Sequence, residues 1–479
     1  MPSGNRAFYL LLILFVIDVG YSFIQHYQMP LDGDLGPIVL PSEAYKKVLN
    51  DPFGLQVLLE NKIYPAPNRY FAHQLVSGYF KTVPFLLQTC VSPVKSVYLS
   101  CAIAKIIIQV LLILVLSSYI CCVNLKKERI ILCCVLLSPL FQASHGNYNS
   151  MGVIDESVVY TFFYALPIGL LLIFLFPFYK FYITGKAPQM TWLKTTIWFM
   201  LVVILSFNGV LIPGIVLVGF PIILISYFAG KHRETGSILS AAKNADRKLL
   251  FLFLFFILTS LYSIYIGRNN LENFNNKLSI GDRFSRIPSG LYEIFIENKG
   301  LSSLIGIVLV NLFILFKTRI IDSVPQIKNV LLLLSLFILF YILLLPFGGF
   351  RDYRPNILRN DTLLPVILIV FFTFGLSTYL IFTSRIKYHV LYGAFISTVL
   401  ITYSILDTPL EARNWSERMA FKTIDESPLD CVPIKDSCTV FSWTLIDDCA
   451  ETAEEGKMLK YWGITKKEKT FYHDLDKTE

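Results

Sequence analysis

Charge is scarce in this chain. Only 16% of its 479 residues are Asp, Glu, Lys or Arg, whereas a soluble protein carries about a quarter. The shortage is uneven. Apolar runs of roughly 16 to 25 residues alternate with short polar segments, the spacing of membrane-crossing helices. Backbone amides in hydrocarbon must pair within their own segment, which excludes open strands. No Cys/His set has the spacing of a zinc site. Internal repeats, inverted symmetry and low-complexity tracts are also lacking. The net charge of +8 hints at nucleic acid, but Lys and Arg sit mainly in short loops between apolar runs. That pattern reports membrane orientation and excludes a basic nucleic-acid footprint. No small-residue cleavage site follows the first apolar run, Phe8–Ile24; Gln25-His26-Tyr27-Gln28 does, so this run is expected to stay as a helix.

What is present is a sequence of apolar runs. After the first come Val97–Val123, Ile130–Gln142, Val158–Tyr179, Thr195–Ser206, Val210–Phe228, Leu249–Ile266, Leu301–Phe316, Val330–Pro346, Leu363–Phe382 and Val390–Leu406. The expected fold is an all-α polytopic membrane protein with about eleven transmembrane helices. Ile130–Gln142 and Thr195–Ser206 are too short to cross untilted at about 1.5 Å per residue, so each is expected to stop partway and open onto a cavity. Residues 1–406 form the transmembrane domain. Within it, 25–95 is a long polar loop, where Tyr70–Leu87, interrupted by His73, Gln74 and Lys81, predicts an interfacial amphipathic helix. Residues 407–479 form a small extramembrane segment, in which Cys438–Ile446 has strand character.

Loop charge sets the expected orientation. Arg6, Lys126, Lys127, Arg129, Lys180, Lys186, Lys194, Lys231, Arg233, Lys243, Arg247, Lys248, Lys317, Arg319, Lys328, Arg385 and Lys387 all fall in alternate loops. These loops belong in the cytoplasm. The N-terminus is then cytoplasmic, and both the 25–95 loop and the tail are extracytoplasmic. Cys431, Cys438 and Cys449 lie in that tail; their odd number leaves at least one unpaired and the pairing open. Asn360-Asp-Thr362 and Asn414-Trp-Ser416 match the glycosylation pattern, which matters only in a eukaryotic secretory compartment.

Candidate chemistry gathers at the outer face. Asp32-Gly-Asp34 follows the first helix. Two carboxylates separated by Gly can hold a divalent cation such as Mg or Mn, or one can serve as general base on a hydroxyl. A solvated Asp-Gly turn is the plainer account. The next outer loop lacks Lys and Arg but offers His145, Asn147, Asn149, Asp155 and Glu156, suited to sugar hydroxyls or equally to an ordinary polar connector. A late outer loop carries Arg351, Arg354 and Arg359, and an earlier one Arg283 and Arg286, against the expected charge bias. Arg forks match phosphate oxygens; head-group anchoring is the competing account. Asp18, inside the first helix, is expected to pair with a polar neighbour.

This layout resembles the GT-C class of integral-membrane glycosyltransferases, which use a sugar carried on a polyprenyl phosphate or pyrophosphate. In that class the first helix leads into a long outer loop with interfacial helices and an early catalytic acid. The resemblance implies that Asp34, with Asp32 as neighbour, fills that position. It also implies that Arg351, Arg354 and Arg359 hold the donor phosphate and that 407–479 is the extramembrane part. The Asp-Gly-Asp here departs from the Asp-Glu pair of several branches, and no Trp-Trp-Asp sequence occurs. The resemblance implies transfer of a sugar to a cell-envelope glycan or lipid at the outer face of a bacterial inner membrane. A lipid-linked oligosaccharide flippase and a glycan polymerase or ligase are the alternatives.

Overall fold

The computed structural model describes residues 4–142, 152–186, 188, 190–235, 247–273, 278–297, 299–348, 356–384, 387–405 and 410–475. Helices dominate. Eight are long and apolar enough to cross a membrane: Asn5–Tyr27, Pro93–Ile120, Val158–Thr184, Leu211–Gly230, Arg247–Gly267, Lys299–Lys317, Pro325–Phe347 and Asn360–Thr383. Trp192–Ser206 and His389–Ile405 are shorter apolar helices. Lys127–Leu137 is shorter still and continues through a tight turn, Ser138–Phe141. The chain is thus a multi-pass α-helical membrane protein, and both runs expected to be short are short.

Local chemistry sets the helix ends. Ser157 Oγ accepts the Tyr160 N–H at 3.1 Å, and Gly185, at φ 72°, closes the same helix. The Asn360–Thr383 helix lies at the centre, with 83% of its apolar window buried against 11% for the first helix. Buried polar groups tie helices together where no water competes. Asn311 Nδ2 donates to Ser377 Oγ at 3.1 Å and to Thr378 Oγ1 at 3.0 Å, while Tyr392 donates to Asn311 Oδ1 at 2.9 Å. Asp18 pairs with the Gln142 amide and with Ser404, the polar partnership expected for it.

The polar segments form a roof over one end of the bundle. The 25–95 loop folds as short helices, Leu35–Val39, Glu43–Asn50, Leu55–Glu60, Tyr70–Phe80 and Val83–Leu87. The single interfacial helix expected over Tyr70–Leu87 is broken at Lys81 and Thr82. Its first part buries Ala72, His73, Val76, Ser77 and Phe80 against the rest of the roof, where an amphipathic surface helix would present polar groups to water.

The C-terminal segment docks onto the same roof. Trp462 Nε1 donates to Phe80 O at 3.1 Å, and Gln88 Nε2 to Trp462 O at 2.8 Å. The segment's helix Glu411–Glu426 ends where Lys469 Nζ donates to the carbonyls of Ile424, Asp425 and Ser427. Its two strands, Cys431–Ile434 and Thr470–His473, pair in parallel. The strand expected over Cys438–Ile446 is instead an irregular turn. Its backbone groups go to side chains: Phe441 N to Glu417, Ile446 N to His473. Cys431 and Cys449 form a disulfide, and Cys438 is free.

Candidate functional site

The acidic turn sits where three segments of the roof meet. Asp32 is buried, 5% exposed. One of its oxygens accepts the Asp34 N–H at 3.2 Å and the other the Val158 N–H at 3.1 Å. Burial, reinforced by the neighbouring Asp34 charge, pushes its carboxyl up to about 7, against the opposing pull of Ser157 and Lys105. Asp34 begins the Leu35–Val39 helix and stays partly exposed. Asp32 therefore shapes the turn, and Asp34 lies at its partly exposed end.

The second acidic loop joins the first. Ser157 N donates to Asp155 Oδ1 at 2.8 Å. Asp155 keeps some surface yet is hemmed in by protein, and that enclosure also pushes its carboxyl up to about 7. Glu156 pairs with Arg413 from the C-terminal segment, Nη1 to Oε1 at 3.1 Å. Beneath them Lys105 is fully buried; its ammonium donates to the Glu156 carbonyl and lies 3.0 Å from Met29 Sδ. Asp32, Asp155 and Glu156 all lie within its electrostatic reach. One buried cation thus offsets a group of carboxylates that would otherwise repel.

The expected arginines divide. Arg359 is close, since Asp361 acts electrostatically on Asp155 and Gly152 packs on Asn360. Its fork, however, is bidentate to Asp361, with Nε–Oδ1 and Nη2–Oδ2 both 3.0 Å. Arg283 donates to the carbonyls of Leu278 at 3.3 Å and Gly348 at 2.9 Å, so its cation serves loop structure. Arg286 precedes the short Ile287–Tyr292 helix in that same segment. Arg351, Arg354, His145 and Asn149 lie outside the described residues, as does Asn147.

Sequence reasoning missed Lys105, Arg413 and Arg69. Lys105 is the one charge in the apolar interior of the Pro93–Ile120 helix, Lys95 lying in its first turn, and that isolation was its available signal. The Arg69 guanidinium stands 4.8 Å above the Phe163 ring and 5.6 Å from that of Tyr164. Among the described residues its buried Nε finds no hydrogen-bond partner. Phe163 and Tyr164 belong to a widened turn, Thr161–Ala165, just below Ser157; such bulges often mark functional positions.

Deeper in the bundle lies an apolar hollow of about 220 Å³. Ile168, Leu172, Ile215, Phe337, Pro365 and Phe372 are among its lining residues. Pro365 stands one turn below Asp361 on the same helix, a rise of about 6 Å. Among the described residues no group of three or more His, Cys, Asp or Glu is arranged to hold a metal ion. Both Asp32 oxygens are already taken by main-chain N–H groups. The described residues do not assemble the Mg or Mn site that Asp32 and Asp34 suggested.

The fold and site define a multi-pass helical membrane protein with an acidic cluster in its polar roof. No family model, curated protein or solved structure matches the chain.

Proposed function

We propose that the chain is a glycosyltransferase that moves a sugar from a polyprenyl-phosphate-type donor to a glycan or lipid acceptor at the outer face of the membrane. One observation carries this reading. A carboxylate group, Asp32, Asp34, Asp155 and Glu156, gathers at one end of the bundle, and an apolar hollow lies deeper between the Val158–Thr184 and Asn360–Thr383 helices, whose near ends border that group. A lipid-linked sugar needs that combination of polar head site and hydrocarbon slot.

In this mechanism Asp34 takes the proton of the acceptor hydroxyl as the oxygen attacks the sugar's anomeric carbon. The bond from that carbon to the phosphate oxygen breaks, and the electron pair leaves on the phosphate. Asp32 fixes the turn that presents Asp34. Arg69, whose buried Nε has no partner among the described residues, would meet the leaving phosphate, with Arg351 and Arg354 as further candidates. Asp155 and Glu156, with His145 and Asn149, would take sugar or acceptor hydroxyls. Membrane lipids and the donor's own isoprenoid chain fill the hollow.

The disulfide in the C-terminal segment supports an oxidising, extracytoplasmic roof. That agrees with the loop charges, a cytoplasmic N-terminus, eleven crossings and a bacterial inner membrane. The test is Asp34→Asn in membranes supplied with labelled polyprenyl-linked sugar. A fall in transfer of at least about a hundredfold is expected, and unchanged turnover removes Asp34 from the reaction.

A transporter reading draws on one observation: His26, Gln109 and Ser22 form a buried hydrogen-bonded chain between two apolar helices, near Lys105. Movement of a lipid-linked glycan across reconstituted vesicles without bond formation would favour it.

A further inference from the structure

We infer that Trp443 and Tyr160 form an aromatic shelf that receives the face of a pyranose ring of the acceptor glycan, beside Asp34. The ligand's role as acceptor rests on the transferase reading; the shelf itself rests on geometry. Trp443 comes from the C-terminal segment and reaches across to the acidic turn. A Cβ placed on Gly33 would lie 2.9 Å from Trp443 Cδ1 and 3.0 Å from its backbone N, so only glycine between the two aspartates lets the indole sit there. The ring is nevertheless 49% exposed.

Its neighbour is Tyr160, with ring centroids 5.7 Å apart and planes inclined at 31°. Tyr160 in turn meets Tyr164 edge to face at 5.6 Å. The two rings form an aromatic surface beside the Asp32–Asp34 turn.

The chain spends strain to hold Trp443 there. Two residues earlier Phe441 adopts φ 49°, a left-handed conformation unusual for a bulky residue. Its N–H is held by Glu417 at 2.7 Å, and its ring packs against Trp462, centroids 5.9 Å apart. Ser442 Oγ then closes the turn on Thr444 O at 2.7 Å. A half-exposed indole fixed by a strained, internally bonded turn is poorly explained as packing.

A sugar ring has apolar C–H faces and a polar rim. The indole and phenol cover a face, as aromatic surfaces cover other flat apolar ligands. Asp34 follows Gly33, on which Trp443 packs, and the Glu156–Arg413 pair links the C-terminal segment to the loop just before Tyr160; these are the polar groups we assign to the rim. A rigid aromatic also loses little conformational freedom on binding.

The experiment uses the full chain in lipid nanodiscs. Methyl pyranosides of glucose, galactose, mannose, rhamnose and N-acetylglucosamine are tested by saturation-transfer NMR against wild type, Trp443→Ala, Trp443→Phe and Asp34→Asn. Thermal midpoints check that each variant is folded. The expected result is saturation of ring C–H protons for at least one sugar, weakened about tenfold in Trp443→Ala, partly restored in Trp443→Phe and reduced in Asp34→Asn, which alters a rim contact. Absence of saturation for every sugar on wild type, or equal saturation with Trp443→Ala, overturns the shelf. Quenching of Trp443 fluorescence by lipids brominated near the head group, with no sugar effect, assigns the indole to the bilayer interface instead and also overturns it. Sugar binding through Trp443 without transfer from a polyprenyl donor would leave the shelf standing and sink the transferase reading.

Discussion

The Glu417 carboxylate is a joint between the two halves of the roof. One oxygen accepts the Leu31 N–H at 2.9 Å and the Tyr98 hydroxyl at 2.5 Å, and the other accepts the Phe441 N–H at 2.7 Å. Leu31 immediately precedes the acidic turn, and Phe441 begins the turn that carries Trp443. A single fully buried side chain therefore sets the position of Asp34 and of the aromatic facing it.

Replacing Glu417 with Ala strands three buried donors, each costing about 1–3 kcal/mol. A fall of several degrees in the thermal midpoint is expected, with early proteolytic release of the C-terminal segment. A proteolysis pattern matching wild type would show that the joint is dispensable.

Stability should decline as pH rises through the window from about 4 to about 7. Asp32, Asp155 and Glu417 are all pushed up to about 7 by burial, from ordinary values of 3.8, 3.8 and 4.5. Below about pH 4 both folded and unfolded chains hold these protons. Between the two limits the folded chain keeps protons that the unfolded chain has released, so alkali favours unfolding. Midpoints measured from pH 4 to 8 should fall and then level off, and Asp155→Asn should flatten the slope. A slope that Asp155→Asn leaves unchanged contradicts the burial of this carboxyl.

Lys105→Met removes the buried amine that lies within electrostatic reach of Asp32, Asp155 and Glu156 and leaves these carboxyls without it. Breaking a buried charge set this way costs about 3–5 kcal/mol. Low yield and a lowered midpoint are expected. Combining it with Asp155→Asn should recover part of the loss, and strict additivity of the two changes would deny the coupling.

Reduction of the Cys431–Cys449 disulfide, which closes a loop of sequence separation 18, should lower stability by about 3 kcal/mol. In sealed cells, a membrane-impermeant reductant followed by an impermeant maleimide should label both cysteines. Labelling only after the membrane is breached would reverse the proposed orientation.

The helical bundle was legible in the sequence because a span needs a long apolar run and little else. Even the short Trp192–Ser206 segment announced itself. The Asp32–Asp34 turn was visible as a pattern, but its partners were not. Val158, Lys105 and Trp443 reach it from distant parts of the chain, and no local spacing encodes such meetings. Arg359 and Arg283 looked alike as loop cations, yet Asp361 and main-chain carbonyls occupy them, which only coordinates reveal. Among the three tail cysteines, counting could not choose a pair. The apolar residues of Cys438–Ile446 suggested a strand; they instead wrap Glu417 and His473, a tertiary demand that overrides propensity. Asn414, which fits a glycosylation pattern, is buried with its amide given to Met29 O at 2.8 Å, so it offers no acceptor nitrogen.

Glu417 also bears on biogenesis. The ribosome delivers Leu31 long before it delivers residue 417, and the last apolar helix, His389–Ile405, lies between them. Until that helix has been threaded into the bilayer, the early loop waits without its clamp. A nascent or prematurely stopped product would therefore be anchored but inert, so the bond that shapes the pocket also times its maturation.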